Sequence, residues 1–407
     1  MPRPKILALI LAGGRGSRLE PLTEYRAKPA VPYAGVYRLI DISLSNLRNS
    51  GISDVGVIVQ YETQSIISEL ANGRPWDLDR TTGGLRVIPP EQRNDRQGPE
   101  EVMAHGNADA LYENLDVIRA YDADVVLVLS SDHIYRLDYF LPIHEHLERD
   151  ADATLVTARV PIDDASNYGT CFLDANGRVT GFAYKPEKPE SDIVTTEIFV
   201  YKPSALSETL ERLAKDHEDE LEDFGHGLIP ELVNAGRVYE YRHNAYWKDV
   251  GRPETYFASH MDLLAADSEL DLDDPAWPIF TLAPQRMPAR IHSSARIAGG
   301  LISPGCDIAG TVECSVLAPG VVVEEGATVR NAIILENAVI KSGAEVQYAI
   351  VDRYATIGIG AKVGQALGGD QPGRDELALV GQYASVHGTQ NVDAGETVEA
   401  VDPTRQA

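Results

Sequence analysis

Cysteine is scarce in this chain: there are three in 407 residues, Cys171, Cys306 and Cys314. An odd, scattered set forms no disulfide framework and no metal-ligand spacing, so buried reduced thiols are expected. Basic charge is also in deficit. Lys and Arg number 36 against 62 Asp and Glu, a net charge of −26, which disfavours nucleic acid as a partner. No apolar run reaches the roughly 18 residues a membrane helix needs, so no membrane partner is expected. The apolar start Ile6–Ala12 resembles a signal-peptide core, but Gly13-Gly14-Arg15 follows where a cleavage site would need a small-residue pattern. It reads as a buried first strand of a cytoplasmic protein.

Against this acidic background, residues 1–50 carry eight basic side chains (Arg3, Lys5, Arg15, Arg18, Arg26, Lys28, Arg38, Arg48) and three acids (Glu20, Glu24, Asp41). A local basic cluster suits a small, strongly anionic ligand; a solvated basic face is the plainer alternative.

Along the chain, apolar strands are expected at 6–12, 55–59 and 124–129, with helices at 37–50 and 107–120 between them. This alternation predicts an α/β layer with a mostly parallel sheet covered on both faces. Ligands of such sheets sit beyond the carboxyl ends of the strands, where Gly13–Arg18, Gln60 and Asp132 fall. From about Ile291 the pattern changes. Leu317, Val323 and Val329 recur as Ile334, Ile340 and Val346, then as Val351, Ile357 and Val363, each set offset by 17 residues. Three faces at a fixed period predict a parallel β-helix with three short strands per coil. Glycines 320, 326, 343, 358 and 360 suit its corners. Residues 364–376 read as a loop, and the last few residues as a frayed polar tail.

Gly13-Gly-Arg-Gly-Ser-Arg18 after a strand offers backbone N–H groups and guanidinium groups to an anion. It matches neither the Walker loop nor the dinucleotide fingerprint. With Arg26-Ala-Lys-Pro-Ala-Val-Pro32, Tyr37-Arg-Leu-Ile-Asp41, Gln60-Tyr61, Gly106-Asn-Ala-Asp-Ala110, Ser131-Asp-His-Ile-Tyr135, Lys185-Pro186, Asp223-Phe-Gly225 and Tyr246-Trp-Lys-Asp-Val-Gly251, the chain resembles bacterial ADP-glucose pyrophosphorylases over roughly residues 6–365.

The resemblance implies a Rossmann-like nucleotidyltransferase domain with a GT-A-like mixed sheet (1–265), a linker (266–290) and a left-handed parallel β-helix domain (291–407). It implies an enzyme that joins ATP and a sugar 1-phosphate into an ADP-sugar and pyrophosphate, with Mg²⁺ as cofactor. Arg15, Lys28 and Asp132 would be catalytic. Ala12, Gly13, Gly14, Gln60, Gly106 and Asn107 would bind the nucleotide. Gly169, Tyr184, Lys185 and Thr195 would bind the sugar phosphate, and Asp132 and Asp249 the metal. A homotetramer with small-molecule effectors between the two domains is also implied. Tyr25 stands where some members carry an activator-binding lysine, so regulation is expected to be weak or different.

Arg18 and Arg38 are open between ligand contact and structural ion pairs. His144 and His146 are expected at the surface, and His133 is expected to lie beside Asp132 without replacing it. Departures from the family cluster on the sugar side. Tyr184 replaces a glutamate, Thr195-Thr-Glu-Ile198 a Ser-Met-Gly-Ile run, and Ser131 the glycine of a Gly-Asp pair; Ala104 and His105 precede Gly106 where a tyrosine is common. A carboxylate is lost at 184 and one is gained at Glu197, which changes the hydrogen-bond inventory a sugar would meet. A different sugar, a different nucleotide, or a non-catalytic subunit on the same fold are the alternatives.

Overall fold

The computed structural model describes residues 3–90, 106–216, 221, 223–282, 285–367, 372–388, 390–402 and 404. Ala104 and His105 lie outside the described residues.

The opening strand, Ile6–Ala12, is buried along its whole length. It runs parallel to Val125–Ser130 on one side and to Asp54–Val59 on the other, and Asp54–Val59 continues parallel to Gly84–Ile88. Beyond Val125–Ser130 the sheet turns antiparallel through Ile193–Tyr201, which also pairs with Ala153–Arg159 and Gly169–Leu173. The sheet is therefore mixed, parallel at its centre. Alternation along the first strand feeds two cores. Ile6, Ala8, Ile10 and Ala12 face one, with the helices Leu39–Asn49 and Pro253–Asp262. Leu7, Leu9 and Leu11 face the other, with Asn107–Glu113, Leu115–Tyr121 and Leu228–Ala235. Gly56 leaves room for its neighbours in this sheet: a Cβ there would lie 2.9 Å from Leu9 Cδ2 and 3.0 Å from Ile88 Cδ1, so both side-chain tips would have to move.

The helix expected over 107–120 is two helices. Asn114 breaks it by donating from its side chain to the Ala110 carbonyl at 2.7 Å, competing with the backbone ladder. His146 is buried, not at the surface: the helix Phe140–Glu148 turns it toward the sheet, where Nδ1 meets Thr154 Oγ1 at 3.1 Å. His144 on the same helix is exposed. Cys171 and Cys306 are buried, whereas Cys314 is exposed at a coil corner in left-handed backbone, so only two of the three thiols follow the expectation.

From Arg290–Ile291 onward the chain coils as a parallel β-helix. The three predicted faces stack in register: Leu317 on Ile334 on Val351, Val323 on Ile340 on Ile357, and Val329 on Val346 on Val363. All nine are fully buried. After the excursion that follows Val363, Val380, Val386 and Val392 add another coil on the same faces. Strand Thr397–Val398 extends the coil further. Gly320, Gly326, Gly343 and Gly360 take positive φ at corners. Gly358 does not; it is small because a Cβ would strike the Val386 carbonyl at 2.7 Å in the next coil.

The two halves share packing. Ala318, Ile333, Leu335, Ile350 and Leu379 on the outside of the coil join the core that holds the first strand. Arg26 pairs with Asp352, and Arg38 with Glu69 and Glu336, so Arg38 is a structural ion-pairing residue. No helix among the described residues is long and apolar enough to cross a membrane.

Candidate active site

Two adjoining cavities open at the carboxyl ends of the central strands. One, of about 230 Å³, is lined by Gly13, Gly14, Arg15, Gln60, Tyr61, Gly106 and Asn107. The other, of about 260 Å³, is lined by Arg18, Lys28, Asp132, His133, Tyr184, Lys185, Glu197 and Asp249. Leu11, Gly14, Asn107 and Asp223 border both, so a ligand in one cavity abuts a ligand in the other.

The first cavity is shaped by missing side chains. Gly13 follows the first strand directly, and a Cβ there would come within 2.9 Å of the Gln60 side chain. Gly14 has open space around it. Gly16 takes a left-handed conformation, φ 69°, and its carbonyl accepts from Thr23 Oγ1 at 2.8 Å. These features leave backbone N–H groups exposed to an anion. Ala12, the last strand residue, is buried and lines neither cavity.

The second cavity is organised by charge. Asp132 follows the strand Val125–Ser130 and accepts from Ser130 Oγ and from Lys28 Nζ. A two-stranded ribbon pairs His133 with Asp249 and so brings the second aspartate back beside the first. His133 Nε2 lies 3.8 Å from both Asp132 Oδ1 and Asp249 Oδ1. Burial by itself would raise the Asp132 carboxyl, yet Lys28 and His133 beside it hold it well below the usual carboxylate range. Burial by itself would lower the Lys28 ammonium, but Asp132 and Asp249 outweigh it and keep Lys28 charged.

On the opposite wall, Tyr184 donates to Asp223 Oδ2 at 3.0 Å and accepts from Lys185 Nζ at 2.8 Å. Burial and the Asp223 charge push the Tyr184 phenol upward, so it remains a donor. Gly225 underlies the Tyr184 ring, where any Cβ would clash at 2.0 Å. Asp223 also accepts from the Asn107 N–H at 3.2 Å, which ties the two cavities together. Gly169 and Thr195 sit behind this wall. They line neither cavity, and the Gly169 position is closed in by Phe182 and by Thr195 Oγ1.

Among the residues of this cavity that sequence reasoning left outside its site set are Asp223, His133 and Glu197. Asp223 carried a signal in the Asp223-Phe-Gly225 motif. His133 stood beside a site aspartate but lacked any ligand spacing. Glu197 was visible only as a charged residue at a position where relatives carry glycine. The structure gives it left-handed backbone, φ 53°, in a bulge between Thr195 and Phe199 that turns it toward the cavity.

A mixed sheet with a glycine-arginine loop and a lysine–aspartate cavity at its carboxyl edge defines a nucleotidyl transferase. A family model described as "Nucleotidyl transferase" matches residues 7–266, and one described as "GlmU-like, C-terminal hexapeptide" matches residues 286–374, in keeping with a left-handed parallel β-helix. Among similar curated proteins is a glucose-1-phosphate adenylyltransferase of Clostridium acetobutylicum, 40% identical over 324 residues, covering 79% of this chain and 84% of the relative. Another, from Clostridium perfringens, is 41% identical over 337 residues, covering 81% and 84%. The chain belongs to the nucleotidyl transferase family, in the group of the glucose-1-phosphate adenylyltransferases.

Proposed function

We propose that this protein transfers an adenylyl group from ATP to a sugar 1-phosphate, giving an ADP-sugar and pyrophosphate. The observation that carries the reading is the pair of cavities sharing Gly14, Asn107 and Asp223, with Lys28 and Asp132 beside their junction. The triphosphate lies along Gly13–Arg15 with the base toward Gln60 and Gly106. The sugar phosphate lies toward Lys185 and Tyr184. A phosphate oxygen of the sugar phosphate forms a bond to the α-phosphorus, and the bond from that phosphorus to the β-phosphate bridging oxygen breaks. No proton need move, so positioning and charge neutralisation carry the catalysis. Arg15 and Lys28 neutralise the two anions as they meet. Ala12, Gly169 and Thr195 support the walls from behind.

Asp132 and Asp249 present oxygen donors that fit a hard divalent cation, and we assign Mg²⁺ to them. When bound, it adds positive charge where the phosphate oxygens converge. The catalytic part is proposed to span 1–265, with a linker at 266–290 and the β-helix part at 291–407, in a cytoplasmic homotetramer. Small-molecule effectors between the halves belong to the same proposal, with regulation weak or different because Tyr25 stands where some members carry an activator-binding lysine.

The test is pyrophosphate release from ATP with a panel of sugar 1-phosphates, then from other nucleoside triphosphates with the best sugar. Turnover with ATP that is lost in Asp132→Asn is expected; no turnover with any pair overturns the reading. A changed sugar preference is favoured by one observation: Tyr184 closes the wall that Lys185 and Asp223 share, while Glu197 adds a carboxylate to the cavity. Ordinary efficiency with glucose 1-phosphate, preferred over other hexose phosphates, would remove this second reading.

A further inference from the structure

We infer that Glu197 sets the sugar specificity, and that the preferred acceptor is a hexose 1-phosphate bearing a protonated amino group on its ring. The inference rests on the functional reading above and names the class of sugar that the second cavity takes.

Glu197 lines the same cavity as Tyr184 and Lys185, the residues assigned to the sugar phosphate. The strand Ile193–Tyr201 bulges between Thr195 and Phe199, and the left-handed backbone of Glu197, φ 53°, turns its side chain into the space. Glycine adopts that backbone without strain, so a carboxylate held there points to something that it contacts. Among the described residues Glu197 has no hydrogen-bond or ion-pair partner. The Lys28 ammonium nearby is taken by Asp132, and Lys185 Nζ donates to the Tyr184 hydroxyl at 2.8 Å. A carboxylate enclosed without a partner is costly, and a ligand that supplies one binds the more tightly for it.

The charge of the cavity selects an amine over a hydroxyl. Asp132, Glu197, Asp223 and Asp249 face Arg18, Lys28 and Lys185 there. The dication assigned to Asp132 and Asp249 offsets the two charges of the sugar's phosphate. It also keeps the imidazole of His133, 3.8 Å from both aspartates, neutral. Four acids against three bases then leave one negative charge over. A sugar hydroxyl can donate to Glu197 but leaves that charge in place, whereas a ring ammonium donates and neutralises it. An acetylated amine has no charge to offer. Tyr184 acts in the same sense. It stands where relatives carry glutamate, and its hydroxyl already satisfies Asp223 at 3.0 Å, so the unmet carboxylate is on the Glu197 side of the cavity.

The experiment compares glucosamine 1-phosphate, galactosamine 1-phosphate, N-acetylglucosamine 1-phosphate and glucose 1-phosphate, with ATP and Mg²⁺ at neutral pH. The readouts are kcat/KM and, without ATP, calorimetric binding to the full chain. At least one aminohexose phosphate should exceed glucose 1-phosphate by about tenfold or more in both, as a hydrogen bond between charged groups implies. The ratio should fall as rising pH deprotonates the amine. Glu197→Gln, which keeps the shape and removes the charge, should abolish the preference. Glu197→Gly, which suits the left-handed backbone, should do the same. The ratio is taken within one protein, so a general loss of activity cancels. No advantage for either aminohexose phosphate, a preference that survives both variants, or one that persists with a neutral amine overturns the inference. Adenylyl transfer to glucose 1-phosphate would then still uphold the functional reading. Tighter aminohexose binding without turnover of any pair would overturn the functional reading and leave the specificity of the cavity standing, and neither binding preference nor turnover would overturn both.

Discussion

Arg26 and Asp352 form an ion pair across 326 residues of chain, with side chains 3% and 0% exposed, and so join the catalytic half to the β-helix. Arg26 Nε and Nη1 have no other partner, so the pair is the main compensation for a buried guanidinium. Removing one member strands the other charge in a dry interface. Asp352→Ala should cost about 3–5 kcal/mol of stability, read from urea denaturation, and the apolar pair Arg26→Met with Asp352→Leu should recover most of it.

His260 is held neutral by its contacts. Nε2 accepts from the Ala34 N–H at 3.0 Å, and Nδ1 meets the Tyr256 carbonyl at 2.8 Å. Burial lowers its pKa to about 4. The unfolded chain, with an ordinary imidazole near 6.5, then binds more protons between these values. The stability contribution is complete above about pH 6.5 and falls by about 3 kcal/mol as pH drops toward 4. Chemical denaturation across this window should show a shallower acid limb in His260→Gln than in the parent chain.

Lys28 and Asp132 act on the reacting phosphates in the proposed function. Lys28→Met should lower kcat by about 10²–10³, the range seen when one pre-positioned electrostatic contact is removed. Steady-state rates at saturating substrate check this, with thermal unfolding to confirm that the fold persists.

Gly13 and Gly14 should respond differently to the same added methyl. Gly13→Ala forces Gln60 aside, and overpacking of about 1–3 kcal/mol should appear as roughly ten- to hundredfold weaker ATP binding. Gly14→Ala meets no protein atom within 4 Å. Its stability should be unchanged, so any rise in KM reports the ligand itself. Calorimetric ATP binding on both variants separates the two cases.

Tyr184→Phe removes the hydroxyl between Asp223 and Lys185. A lost hydrogen bond to a charged group is worth about 1.5–3 kcal/mol, so KM for the sugar 1-phosphate should rise by about tenfold. KM for ATP should move little, since Tyr184 lines only the second cavity. Initial-rate measurements with each substrate varied separately test the split.

Much of this protein could be read directly from its sequence. A run such as Ile6–Ala12, apolar on both faces and closed by a glycine turn, reads as a buried central strand, because neither face tolerates water. The 17-residue offset of Leu317, Ile334 and Val351 fixes the stacking of coils, because a parallel β-helix must place like residues one above another. The glycine-arginine loop follows for a similar reason: close approach to an anion demands backbone without side chains.

What the order of residues left open was decided in three dimensions. The 107–120 helix breaks because the Asn114 side chain finds the Ala110 carbonyl, and His146 is buried because its helix turns that face toward the sheet. Asp223 joins two cavities through partners 39 and 116 residues away. His133 gains its setting only when the ribbon returns Asp249 beside Asp132. Glu197 enters the cavity because a bulge rotates its backbone, and alternation along an ordinary strand does not encode that turn. Local pattern determined which segments fold and where the glycine-arginine loop lies; long-range packing decided which charges meet at the second cavity, because electrostatic contacts depend on distance in space and not on spacing along the chain.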